Sequence, residues 1–264
     1  TVGYSANALG GAGGPLAVLI IAIAAAELGK AVSKETKVDI LVTPLVTIFA
    51  GVGLSMLIAA PIGAAASQVG TLIMWATEQA PLVMGILVSV IVGVALTLPI
   101  SSAAICAALG LTGLAGGAAV AGCCAQMVGF AVMSYKENGV GGLVSQGLGT
   151  SMLQMGNIIK NPRIWIAPTL ASAITGPLAT CLFHFEMNGA AVSSGMGTCG
   201  LVGQIGVYTG WVSDIAAGTK AAITPMDWAA MVLLCFVLPA VLSVVFCEVE
   251  RKLGWIKDGD LKLN

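Results

Sequence analysis

Charge is what this 264-residue chain has least of. Asp, Glu, Lys and Arg together make up 9% of it, against about 25% in an ordinary soluble domain. So few charges cannot cover a soluble globule. Lys and Arg number 11, Asp and Glu number 12, and the net charge is −1. That balance excludes nucleic-acid binding, which needs clustered basic residues to neutralise phosphates. A hydrophobic share of 58% and a mean hydropathy of +0.99 exclude disorder. What remains is a polytopic membrane protein.

Other absences narrow the chemistry. His184 is the single histidine, and no Cys or acid cluster has metal-ligand spacing, so no metal site is expected. No G-x-S-x-G occurs, and one His is no triad, so no hydrolase is expected. No cofactor and no catalytic residue are expected in this chain. The seven cysteines, at 106, 123, 124, 181, 199, 235 and 247, form no CxxC and lie in or beside apolar runs. They read as small apolar fillers. No signal-peptide pattern stands out, and the chain does not begin with Met, so an N-terminally incomplete chain is expected.

The period-2 alternation of a membrane barrel is missing too. Apolar runs are instead continuous and long. No charge falls between Asp39 and Glu78, or between Glu78 and Lys136. A spanning helix needs about 20 such residues. The fold class expected is all-α, a transmembrane helical bundle. Spans are expected near 13–29, 40–60, 81–107, 110–134, 164–183 and 226–247. The less apolar stretch 61–79 fits an interfacial or short broken helix. The uncharged, Gly-rich stretch 187–207 is too irregular for a lipid-facing helix. We treat residues 1–264 as one transmembrane domain, with sub-bundles 1–140 as scaffold and 141–250 as the substrate-binding half.

The stretch 141–159 mixes six polar side chains and five glycines with Leu143, Met152, Leu153, Met155, Ile158 and Ile159. The basic residues suggest how to read it. Clusters stand at Lys30/Lys34/Lys37, at Lys160/Arg163, and at Arg251/Lys252/Lys257/Lys262. If 141–159 crosses the membrane, all three clusters share the cytoplasmic side and Lys136 lies outside. A crossing there is therefore expected.

Gly195-Met-Gly197-Thr-Cys-Gly200 spells G-x-G-x-x-G, but no strand or βαβ unit accompanies it, so no dinucleotide site follows. Gly197, Gly200, Gly203 and Gly206 recur every third residue, with Ser193, Ser194, Thr198 and Gln204 among them. Irregular backbone at membrane depth is tolerated where it is buried in protein or lines a cavity. A re-entrant hairpin that offers backbone groups to a polar ligand fits this composition. A Gly-rich helix packed against its neighbours fits it as well.

His184, Glu186 and Asn188 precede that segment. Glu186 is the only acid between Arg163 and Asp214, and Phe183, Phe185 and Met187 flank it. Such an acid is costly unless it faces water or a partner. It reads either as a carboxylate accepting ligand hydroxyls or as a solvated loop acid. Gln126 and Asn157 are further polar residues in apolar context. The candidate ligand contacts are Glu186, His184, Asn188, Gln204, Gln126, Asn157, Ser194 and Thr198.

Two stretches carry a resemblance. One is Pro81-Leu-Val-Met-Gly-Ile-Leu87 with Leu98-Pro-Ile-Ser-Ser-Ala-Ala-Ile105. The other is Gly147-Leu-Gly-Thr-Ser-Met-Leu-Gln-Met155 with Asn157-Ile-Ile-Lys-Asn-Pro-Arg-Ile-Trp-Ile-Ala-Pro-Thr-Leu170, continuing to Gly195-Met-Gly-Thr-Cys-Gly-Leu-Val-Gly-Gln204. Over about residues 15–210 the chain resembles the EIIC-like membrane proteins of the bacterial sugar phosphotransferase system, in the divergent branch that includes perfringolysin-regulator-type proteins. The resemblance implies a permease subunit in the bacterial plasma membrane, often a homodimer. It would bind a sugar or related polar solute and act with separate cytoplasmic phosphocarrier subunits. In the wider family a membrane-embedded Glu near a re-entrant hairpin contacts the sugar. Glu186 holds that position, although the short motif around the Glu of glucose-type permeases is not reproduced. A membrane sensor that keeps the permease fold without phosphotransfer, or a phosphate-independent transporter, are the alternative readings.

Overall fold

A computed structural model describes residues 14–33 and 39–263. Their chain contacts divide into two compact units: residues up to Thr71 with Ala107–Leu109, and Leu72–Cys106 with Gly110 onward. No strand is formed among the described residues; one isolated bridge pairs Gly113 with Met187.

The first unit is built on α1 (Gly14–Val32) and most of α2 (Asp39–Gln79). Ala17 and Ile21 of α1 are fully buried against Ala59, Leu54, Ile58 and Ile62 of α2. The stretch 61–79 is neither separate nor broken: it continues the helix begun at Asp39. Its hydroxyls do not end it, because Thr71 and Thr77 donate back to the carbonyls of Ser67 and Ile73. At 1.5 Å per residue the helix is about 60 Å long, roughly twice the thickness of a hydrocarbon core.

After the last turns of α2 the chain forms α3 (Pro81–Thr97), in the second unit, and α4 (Ser102–Leu109), whose residues Ala107–Leu109 count with the first. A continuous 81–107 span is therefore not formed. Pro99 restricts its predecessor to extended backbone, and Leu98 sits at ψ 156°, so the helix stops. Then comes α5 (Gly113–Met133), the centre of the unit, with Ala118–Ala125 buried throughout. α6 (Tyr135–Val144) follows, then a π turn (Ser145–Gly149), a 3-10 turn (Ser151–Gln154) and α7 (Met155–Lys160). The apolar run Pro162–Leu182 contains α8 (Ile166–Pro177). α9 (Val202–Ala216) follows an irregular stretch. The apolar run Pro225–Lys252 contains α10 (Pro225–Val232) and α11 (Leu238–Lys252).

Asp39–Gln79, Gly113–Met133, Pro162–Leu182 and Pro225–Lys252 are long and apolar enough to cross a membrane. They agree with four of the expected spans. α3 and α5 meet closely at Gly122. A Cβ there would overlap the Ser89 carbonyl, so only glycine allows the two backbones to meet. Ser89 Oγ then donates to the Ser172 carbonyl at 2.5 Å, tying α3 to α8 across the same point.

α5 supplies a depth scale. At one end Gly113 exchanges two backbone hydrogen bonds with Met187, each 3.0 Å. Beyond the other end, Lys136 pairs with Glu248 and Glu137 with Arg251, both at 2.9 Å. Arg163 lies over the Trp255 ring on that same end. Lys136, Lys160, Arg163, Arg251, Lys252, Lys257 and Lys262 therefore share a basic end. Among the described residues of this unit, only Lys220 is basic at the Gly113 end.

This corrects the expected crossing at 141–159. Asn138 and Gln154 both donate to the Leu261 carbonyl, at 2.8 and 3.0 Å. The segment leaves and returns to one place, so it folds back instead of spanning. Its polar side chains find partners on a tail more than a hundred residues later. Lys136 accordingly joins the other basic residues and does not lie opposite them.

Candidate functional site

The irregular stretch between α8 and α9 also folds back, from the Gly113 end. It starts at His184, which takes a left-handed φ of 44°, rare for a residue with a side chain. Phe185 N–H closes the turn on the Ala179 carbonyl. The chain then runs down α5. Met187 pairs with Gly113, Ser194 donates to the Leu111 carbonyl at 2.6 Å, and Ser102 donates to the Gly195 carbonyl at 2.7 Å. Gly197, at φ 52°, lies against Cys123, the central residue of α5. There the direction reverses: Gly203 N–H bonds the Gly197 carbonyl and α9 climbs back. Gln204 lies on Cys124, Gly206 on Ser193, and Gly210 on Asn188 and Gly189.

The two fold-back segments meet at their tips. Thr198 Oγ1 donates to the Gly147 carbonyl at 2.5 Å. Beside this contact, Ser151 and Thr97 share a hydroxyl bond of 2.9 Å. Gln126 Oε1 accepts from Trp165 Nε1 at 3.0 Å and from Thr97, while its amide donates to Thr169.

The open space lies at the Gly113 end. A cavity of about 520 Å³ is lined by Phe183, His184, Phe185, Glu186, Asn188, Trp211, Asp214, Thr219, Lys220, Met226, Asp227 and Ala230. Asn188 Nδ2 donates to Glu186 at 3.0 Å and to Asp214 at 2.9 Å, so one amide holds two carboxylates. Lys220 is paired with Asp227 at 2.7 Å and stands over the Trp211 ring at 5.6 Å. Asp227 is fixed by a capping box. Its carboxylate accepts from Thr224 N–H at 2.7 Å, and its own N–H bonds Thr224 Oγ1, opening α10. Trp211, 5% exposed, packs edge-on against Trp228.

These groups suit a polyhydroxylated solute. Carboxylates accept hydroxyl protons, the amide and ammonium donate, and an indole face covers C–H surface. The Lys220–Asp227 pair is internally neutral, and no other Lys or Arg lines the cavity beside Glu186 and Asp214.

Of the candidate contacts, the structure brings His184, Glu186 and Asn188 together in this cavity. Gln204 is buried inside the fold-back, with Nε2 on Cys124 Sγ at 3.2 Å and Oε1 without a partner. Ser194 and Thr198 hold the same segment's backbone contacts. Gln126 joins α3, α5 and α8. Asn157 lies at the basic end, donating to Gln154 and to the Lys262 carbonyl. Asp214, Lys220, Asp227 and Trp211 join the site without any sequence signal that marks them as ligand contacts. The Thr224–Asp227 cap spacing marks Asp227 as ordered, but nothing local brings Asp214 to Glu186. No group of three or more His, Cys, Asp or Glu among the described residues could hold a metal ion.

The sequence family described as "Phosphotransferase system, EIIC" matches residues 2–263, and the chain belongs to it. With its long apolar helices this makes the protein a membrane protein of sugar-permease type in a phosphotransferase system. No curated protein matches the chain. No solved structure matches it either.

Proposed function

We propose that this member of the EIIC family is the membrane subunit that takes an unphosphorylated sugar, or a related polar solute, across the bacterial plasma membrane. The cavity around Glu186 is its outward-facing recognition site. Lys and Arg concentrate on cytoplasmic faces, so the basic end reads as cytoplasmic and the Gly113 end as external. The two fold-back segments read as re-entrant hairpins entering from opposite faces. Separate phosphocarrier subunits working at the basic end, and a homodimeric assembly, complete this reading.

The observation that carries it is the Asn188 amide bridging Glu186 and Asp214 in a cavity walled by Trp211 and Lys220. The bridge preorients both carboxylates toward hydroxyl donors. Two carboxylates beside a single, already paired lysine favour a neutral or cationic solute over an anionic one. Uptake of a labelled hexose, hexosamine and hexitol panel by cells carrying the native chain or Glu186→Gln tests this. Transport of a panel member by the native chain, lost or strongly weakened in Glu186→Gln, is the expected result. Equal transport by both chains removes Glu186 from the site.

A further inference from the structure

After α11 the chain packs back against the bundle. Trp255 N–H bonds the Glu250 carbonyl, and Ile256 and Leu261 then turn inward to 3% and 0% exposure. They join Phe130 of α5, Ile158 of α7 and Ile164 before α8 in one apolar cluster. The backbone beside Leu261 is held by side chains from both limbs of the 138–161 fold-back. Leu261 N–H donates to Glu137 Oε2 at 2.8 Å, and its carbonyl accepts from Asn138 and Gln154. Leu263 N–H donates to Asn138 Oδ1 at 2.8 Å, so Asn138 grips the tail on both sides of Lys262. Asn161 donates to Asp260, and Arg251 links Glu137 to Asp258.

The segment held in this way is irregular over 145–154. Its π and 3-10 turns lack the continuous hydrogen-bond ladder of a helix, so it needs outside partners to keep its shape. Its tip carries the Gly147 carbonyl that Thr198 engages. The tail therefore bears on the contact between the two hairpins, although it lies at the opposite end from the cavity.

We propose that residues 255–263 form a strap that latches the 138–161 hairpin shut at the basic end. Its release lets that hairpin swing from Thr198 and opens the path on the basic face. The device rests on the permease reading for its role, but its test needs no solute. A strap held by side-chain hydrogen bonds and by buried Ile256 and Leu261 is a small unit that can open in a transport cycle, and a ligand or partner that binds the tail would shift its population.

The experiment uses the full-length chain in inverted membrane vesicles. Cys181 and Cys199, the only cysteines of the described chain that are not buried, are changed to Ser, and Ser151→Cys serves as reporter. Ser151 is fully buried beside the hairpin tip. The probe is a membrane-impermeant maleimide, read at residue 151 by peptide mass spectrometry. With Asn138→Ala and Gln154→Ala together, labelling should rise about tenfold, the shift expected from losing the strap's side-chain bonds. A paired Asn138→Cys and Leu263→Cys covers the case in which the released chain fails to fold. Oxidation should suppress labelling at 151 and reduction should restore it. Equal labelling of released and parent chains, or of oxidised and reduced ones, overturns the strap. Failure of the Glu186→Gln uptake test would leave this readout untouched.

Discussion

Thr198 donates its hydroxyl to the Gly147 carbonyl at 2.5 Å, and with that one bond the tips of two fold-back segments from opposite ends of α5 are joined. Thr198 is fully buried, and its partner is the backbone of a π turn. Thr198→Val keeps the shape and removes the donor. The loss of about 1 kcal/mol should raise amide hydrogen exchange across 195–201 about fivefold, with Thr198→Ser close to native. Unchanged exchange in the valine variant would show that the tips hold together by packing alone.

Gln126 is a junction between helices, bonded to Thr97, Trp165 and Thr169. Gln126→Leu would leave Trp165 Nε1 without its acceptor and Thr169 without its amide donor. Stranded buried polar groups cost about 1–3 kcal/mol each. Detergent-solubilised Gln126→Leu should melt several degrees below the native chain, and Glu186→Gln should not. Equal melting of Gln126→Leu and native protein would contradict the junction.

Charge in the cavity makes a selectivity prediction. With Lys220 occupied by Asp227, no other Lys or Arg lines the cavity beside Glu186 and Asp214. Sugar phosphates offered from the external face should fail to compete with the unphosphorylated sugar for uptake. Lys220→Gln should not create such competition. An external sugar phosphate that blocks uptake at matched concentration would place recognition elsewhere.

Topology can be read with impermeant reagents. A cysteine at His184 should label from outside intact cells. Cysteines at Lys136 and Lys257 should label only after the cytoplasmic face is exposed. A split in which Lys136 and Lys257 label from opposite faces would restore a crossing at 141–159.

How far these features can be read from sequence depends on how local their causes are. The α5 span shows plainly, because nothing charged interrupts residues 113–133. Glu186 and Asn188 were found as polar residues in an apolar setting. The end of α3 was missed because proline is common in membrane helices, and only the extended Leu98 shows that Pro99 ends this one. The 138–161 segment carries apolar and polar residues in nearly equal measure. What decides its course is Leu261, a hydrogen-bond partner more than a hundred residues away. Asp214 likewise joins the cavity only because α9 climbs back beside Asn188, a convergence that no spacing in the chain announces.

The central claim is that the Glu186–Asn188–Asp214 cavity binds the solute. The most direct measurement is a thermal-stabilisation screen of the purified full-length protein against unphosphorylated hexoses, hexosamines and hexitols. A ligand at a hundred times its Kd adds about 2.7 kcal/mol to stability, enough to see as a rise in Tm. The account predicts that at least one of them raises the Tm of the native chain, and that Glu186→Gln, with an unaltered Tm of its own, loses that rise. The same rise in both proteins would contradict it.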